Sequence, residues 1–254
     1  PLADPYILGI SSGASLGATS AILLGIGVSL GPNFVGIAAF IGAFAISLAV
    51  LFISNLGGRS NSMKLLLAGM ALSAVCGAFS SFIVYFANNK EGMQTIAYWM
   101  MGSLAGAKWG ELAIIAPIIM ASVIFFWTQS RVLNLMLLGD ESAITMGTDL
   151  HAYRQWYLLI SSLIVGFAVY AAGMIGFVGL IIPHVIRMFT GPDHKRLIPV
   201  SALTGAIFLV ICDGLCRIII PHTELPIGIL ISMIGAPSFI YLMIKKTYGF
   251  GGND

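Results

Sequence analysis

Long apolar runs, cut by short polar breaks, set the pattern of this chain. No Asp, Glu, Lys or Arg occurs from Pro5 to Gly58, and further charge-free runs cover Leu65–Asn89, Leu112–Ser130, Gln155–Ile186, Leu197–Cys212 and Leu225–Ile244. A membrane-spanning helix needs about 20 mainly apolar residues to cross about 30 Å of hydrocarbon. Most of these runs reach that length, and the first is long enough for two crossings, broken at Gly31-Pro32-Asn33. Cutting where charge, Gly and Pro cluster predicts eight membrane segments, at roughly 12–30, 34–56, 63–87, 110–128, 155–174, 178–190, 197–220 and 226–246. The sixth is too short to span comfortably and carries Pro183 where a helix should continue, so a half-helix or re-entrant stretch is expected there. The expected fold is an all-α polytopic bundle forming one transmembrane domain over residues 1–254.

The polar breaks orient the bundle. With the first ten residues inside and the segments alternating, the inner connections carry Arg59, Lys64, Arg131, Arg154, Arg187, Lys195, Arg196, Lys245 and Lys246. The outer ones carry only Lys90, Lys108 and Arg217. This bias obeys the positive-inside rule, and the opposite parity would violate it. The outer connection after segment three holds Tyr98-Trp99 between short polar stretches, which predicts a helix lying at the interface. The longest polar stretch, 129–154, is an inner loop with Arg131, Asp140, Glu141, Asp149, His151 and Arg154, broken at Gly139 and Gly147. It reads as two short helices joined by a turn, and as the place a cytoplasmic partner could grip.

Composition agrees and excludes other classes. The 254 residues are 58% hydrophobic and 9% charged, against about a quarter charged in soluble domains. Cys76, Cys212 and Cys216 all lie in apolar stretches and give no disulfide framework; Cys212 and Cys216 read as packing residues before they read as metal ligands. The chain opens on Pro1 with no Met and no basic signal region, so it is expected to begin inside a longer protein.

Candidate chemistry is sparse. Gly9-Ile10-Ser11-Ser12-Gly13 fits G-x-S-x-G, but it opens a membrane helix rather than the strand–turn–helix that a nucleophile elbow requires. Gly9, Gly13 and Gly17 recur every four residues and form a smooth helical stripe for close packing. Neither a P-loop nor an H-E-x-x-H motif occurs. His151, His184, His194 and His222 are scattered over loops and segment ends and read as interfacial or structural. Asp213 and Arg217 share a helix face four residues apart, with Glu224 in the following outer turn. Two readings stay open: an internal ion pair, or an arginine that meets an acidic group on a docking protein.

In combination, the motifs resemble the FecCD transport family, permeases that import vitamin B12, iron–siderophores and haem. The resemblance rests on four blocks: Pro1-Leu2-Ala3-Asp4-Pro5 through Gly9 and Gly13; Leu138-Gly139-Asp140-Glu141 with Ala143 and Gly147; Gly176 through Pro183-His184 and Arg187 with Gly191-Pro192-Asp193-His194; and Glu224-Leu225-Pro226 with Gly228, Gly235, Pro237 and Phe239. The resemblance implies a non-catalytic permease subunit of an ATP-binding-cassette (ABC) importer, multi-pass in a prokaryotic cytoplasmic membrane. Family members have ten helices, so this chain would hold helices three to ten. Implied partners are a second permease copy or homologue, two ATPase subunits that bind the ATP and magnesium, an extracytoplasmic substrate-binding protein and membrane lipid. No cofactor in this chain and no nucleic acid is implied.

By the same resemblance, Gly139, Asp140, Glu141, Ala143 and Gly147 match the loop that couples to the ATPase. Arg217 matches an arginine that pairs with a glutamate of the binding protein. Ser62 and Met63 align with the cytoplasmic gate, where Met63 replaces a hydroxyl residue of the vitamin B12 branch. The rival readings are a secondary transporter or channel, for which Asp213 alone supplies a deep acid, and an intramembrane enzyme, which would need paired catalytic groups at one depth.

Overall fold

The computed structural model describes residues 9–30, 33–56, 62–220 and 223–245. Among them lie eleven α-helices: α1 (Ile10–Leu24), α2 (Phe34–Asn55), α3 (Ser62–Ala87), α4 (Lys90–Met101), α5 (Trp109–Thr128), α6 (Ser130–Leu137), α7 (Asp140–Thr145), α8 (Leu150–Ala172), α9 (Val178–Thr190), α10 (His194–Ile219) and α11 (Ile227–Lys245). Helices α2, α3, α5, α8 and α10 are long and apolar enough to cross a membrane, and α1, α9 and α11 are shorter apolar helices. These are the eight predicted segments. The interfacial helix (α4) and the paired short helices (α6 and α7) also form where expected.

Packing starts from the glycine stripe. A Cβ on Gly17 would run into the carbonyl of Ala38, and one on Gly42 into the carbonyl of Gly13. Without those methyls, α1 and α2 meet backbone to backbone, burying Ile10, Ala14, Ala18, Ala39 and Ala43 together with Val169 of α8. Further along α2, Val50 and Leu51 pack with Leu65 and Ala68 of α3 and with Leu158 of α8. A third centre joins Cys212 and Cys216 of α10 to Ile227 and Ile231 of α11, and a fourth joins Ile182 and Ile186 of α9 to Leu197. The cysteines therefore act as small apolar packing groups.

The outward faces are apolar too. Phe52, Phe79, Ile114, Leu203, Val210 and Ile218 are all exposed. A water-soluble surface carries no such belt, whereas hydrocarbon accepts it. Several hydroxyls inside the helices turn back onto their own backbones, as with Ser47 on Ala43, Ser122 on Ile118 and Ser238 on Ile234. This satisfies polar groups that lipid cannot.

Three boundaries differ from the sequence reading. Segment one stops at Leu24 rather than near residue 30, because Gly25 and Gly27 turn into positive φ. Segments five and seven start earlier, at Leu150 and His194, where Asp149 and Asp193 cap the first free amides. Helix α9 is short, about 20 Å at 1.5 Å per residue, but it is not broken at Pro183. It runs continuously from Val178 to Thr190. The break precedes it, where Phe177 takes a left-handed φ of 65°.

Candidate functional site

The ends of the helices fall into two sets, as alternating threading requires. At the end assigned to the outside by charge, Asn33 before α2 donates to Glu111 at the start of α5 and to Tyr170 near the end of α8. At the other end, Gln155 of α8 donates to Asn55 of α2 at 3.2 Å, and the Trp127 indole N–H donates to the Lys195 carbonyl at 2.9 Å.

The inner polar segment is a built module, not a slack loop. Helix α6 ends at Leu137, and the chain turns at Gly139, whose φ of 90° and ψ of 165° form a conformation open essentially to glycine alone. Helix α7 follows at once. Its Ala143 is fully buried, and the Ala143 carbonyl accepts the Thr148 amide at 2.9 Å. Gly147, with φ 80°, closes the second turn before Asp149 caps α8 by accepting the His151 amide at 3.0 Å. Leu138, Ile144 and Met146 stand exposed around this turn. The side chains of Asp140 and Glu141 lie outside the described atoms, although their backbones open α7.

Two polar ties brace this module on the bundle. Asn134 on α6 donates through Nδ2 to Asp193 Oδ1 at 2.8 Å, and its Oδ1 accepts the His194 amide at 3.0 Å and lies 2.7 Å from His194 Nδ1. That oxygen can only accept, so Nδ1 carries the proton in this arrangement. The Asn134 bond, and after it the Lys195 amide, hold the Asp193 carboxyl below its ordinary pKa. Tyr157 donates to Gln129 at 3.2 Å at the base of α6. The sequence reading singled out none of Asn134, Gln129 or Tyr157.

At the outer end of α10, Arg217 Nε donates to Asp213 Oδ2 at 2.9 Å, and its Nη1 lies 3.8 Å from Glu224. The side chain remains 48% exposed. The ion pair and the accessible arginine are therefore the same arrangement. Ser62 and Met63 open α3 at the inner end; Met63 is exposed, and the Ser62 side chain lies outside the described residues, as does His222.

Two neighbouring cavities, of about 850 and about 710 Å³, share Met100 and Met174 as lining. The larger is faced by Ser11, Ser15 and Thr19 of α1 and by Ser80 of α3, and among the described residues no charged side chain lines either.

The FecCD transport family model matches residues 1–245. The chain is 41% identical over 243 residues to the cobalamin import system permease protein BtuC of Halobacterium salinarum, covering 96% of this chain and 64% of that protein. It is 39% identical to the hemin transport system permease protein HmuU of Yersinia pestis, over 97% of this chain and 74% of the relative. An ABC transporter permease of Bacillus subtilis, YvrB, matches at 39% over 98% and 70%. A solved structure described as an inward-facing conformation of a metal-chelate type ABC transporter superposes with a TM-score of 0.87 at 31% identity, over 97% of this chain and 77% of the other. The chain thus spans about two thirds to three quarters of these relatives. An all-helical bundle with several membrane-crossing helices, matched along nearly its whole length, belongs to the FecCD transport family.

Proposed function

We propose that this chain is the membrane-spanning permease subunit of an ATP-driven importer that moves large metal chelates of the cobalamin, haem or iron–siderophore class into the cytoplasm. The observation that carries this reading is the braced module of α6 and α7. A rigid two-helix projection with exposed Leu138, Ile144 and Met146 beside the acidic start of α7 suits a lever gripped by a partner. Gly139, Asp140, Glu141, Ala143 and Gly147 would seat it in an ATPase subunit, which binds ATP and magnesium, so this chain does no hydrolysis itself.

In this mechanism the ATPase pair closes on nucleotide and draws the 129–154 segments together. The helices then tilt as rigid bodies, changing which side of a chamber between two permease copies is open. Ser62 and Met63 stand at its inner gate, and Arg217 receives an acidic group of the substrate-binding protein outside. Support comes from the family, from relatives that carry cobalamin and hemin import names, and from cavities lined by hydroxyls and thioethers. Walls of that kind hold a large chelate weakly, which leaves selectivity to the binding protein.

The test is reconstitution of the protein with its ATPase in proteoliposomes, followed by Glu141→Lys. Substrate-stimulated ATP hydrolysis should collapse while the assembled permease stays folded. Stimulation at the wild-type level would remove α7 from the coupling role.

A further inference from the structure

On the outer side, a small cavity of about 280 Å³ opens between the starts of α2 and α5, the end of α8 and the turn after α4. Glu111, Tyr170, Ser103, Tyr98 and Trp99 line it, together with Asn33. Asn33 spends its side-chain amide on Glu111 Oε1 and on the Tyr170 hydroxyl. This leaves the second Glu111 oxygen and a lone pair on Tyr170 as unspent acceptors on two residues that line the same cavity. The cavity therefore offers a carboxylate, a phenol oxygen and aromatic rings, and among the described residues no basic side chain lines it.

We propose that this cavity binds the primary ammonium headgroup of an outer-leaflet phospholipid, of the ethanolamine type. An ammonium has three N–H donors and a full charge, which suit a carboxylate and a phenol oxygen and favour aromatic faces. The size admits a headgroup and excludes acyl chains. The level is that of the membrane interface: Tyr98 on α4 is exposed, and Trp109, which opens α5, is 88% exposed. Exposed aromatic rings at helix ends mark the headgroup zone, so the source of the amine is the bilayer rather than a soluble ligand.

The experiment is native mass spectrometry of the purified full-length protein after equilibration with ethanolamine, choline and glycerol phospholipids of identical chains. Wild type should retain the ethanolamine lipid roughly tenfold more strongly than the others, the discrimination expected of one charge-assisted hydrogen bond. Glu111→Gln keeps an acceptor for Asn33 and should erase the preference, and Tyr170→Phe should weaken it. Equal retention of the three lipids by wild type would overturn the proposal without any variant. So would a preference that survives Glu111→Gln.

Discussion

Asn134 and Asp193 stand 59 positions apart in the chain and are joined by a hydrogen bond of 2.8 Å. The same Asn134 side chain also accepts the His194 amide. One residue thus fastens the α6–α7 module to the start of α10. Removing it with Asn134→Ala should lower stability only modestly, because the contact with Asp193 is exposed and screened by solvent, yet reduce ATPase coupling far more than that loss of folded protein explains. Thermal unfolding and stimulated hydrolysis on the same preparation check this; parallel losses would reduce Asn134 to a stability residue.

The Asp193 carboxyl has its pKa lowered from 3.8, first by Asn134 and then by the Lys195 amide. A depressed native pKa adds stability that is fully present above 3.8 and is lost as pH falls through the native value. Asn134→Ala should therefore move the Asp193 part of the acid limb of unfolding toward 3.8. Acid titrations of unfolding for the two proteins make the comparison.

Gly139 meets nothing within 4 Å of the position a Cβ would take, so a substitution there has room but the wrong backbone. Forcing an L residue into that conformation costs about 1–3 kcal/mol. Because no contact opposes relief, the strain should re-aim α7 instead of unfolding the bundle. Gly139→Val should lower coupled ATP hydrolysis at least severalfold with a melting temperature close to wild type. A large drop in melting temperature with coupling preserved in the folded fraction would contradict this.

The α1–α2 seam gives a paired test. Gly42→Ala drives a methyl into the Gly13 carbonyl and should destabilise by about 1–3 kcal/mol. Gly77→Ala on α3 meets open space and should stabilise by about 0.5–1 kcal/mol through helix propensity. Melting of both variants in one detergent should show opposite signs; equal melting would mean the seam is loose.

Arg217→Glu should abolish or strongly weaken capture of the substrate-binding protein, read by surface binding to the reconstituted permease. It should lower thermal stability only modestly: Arg217 is 48% exposed and its pair is screened, although the new carboxylate faces Asp213 and Glu224. Unaltered capture would leave Arg217 only its intramolecular partners.

Most of the helical layout was legible because membrane segments announce themselves locally. Gly139 and Gly147 punctuated the inner segment in advance, and Tyr98-Trp99 marked α4. The misplaced boundaries also had local signals. Gly25 and Gly27 end α1, and Asp149 and Asp193 start α8 and α10, so turn and capping residues set these ends rather than the nearest charge or proline. The ties between helices were not legible. Asn33 reaches Glu111 across 78 positions and Tyr170 across 137, and Gln155 reaches Asn55 across 100. A single polar residue in an apolar run shows that a partner must exist, but periodicity along one helix does not say on which other helix it sits. Arg217 showed the same limit in another form: sequence offered pairing or exposure as alternatives, and the side chain has both.

The outer junction of α4, α8 and α11 is closed by main chain. A methyl on Gly173 would strike the Trp99 carbonyl, and one on Gly228 would strike the Met101 carbonyl. The inner end is spanned by side-chain amides such as Asn55–Gln155. Water can stand in for an amide partner, but nothing can stand in for two backbones in contact. The bundle is therefore stiff at one end and compliant at the other, like shears with a fixed pivot. The packing predicts that the cytoplasmic ends yield before the outer rim does.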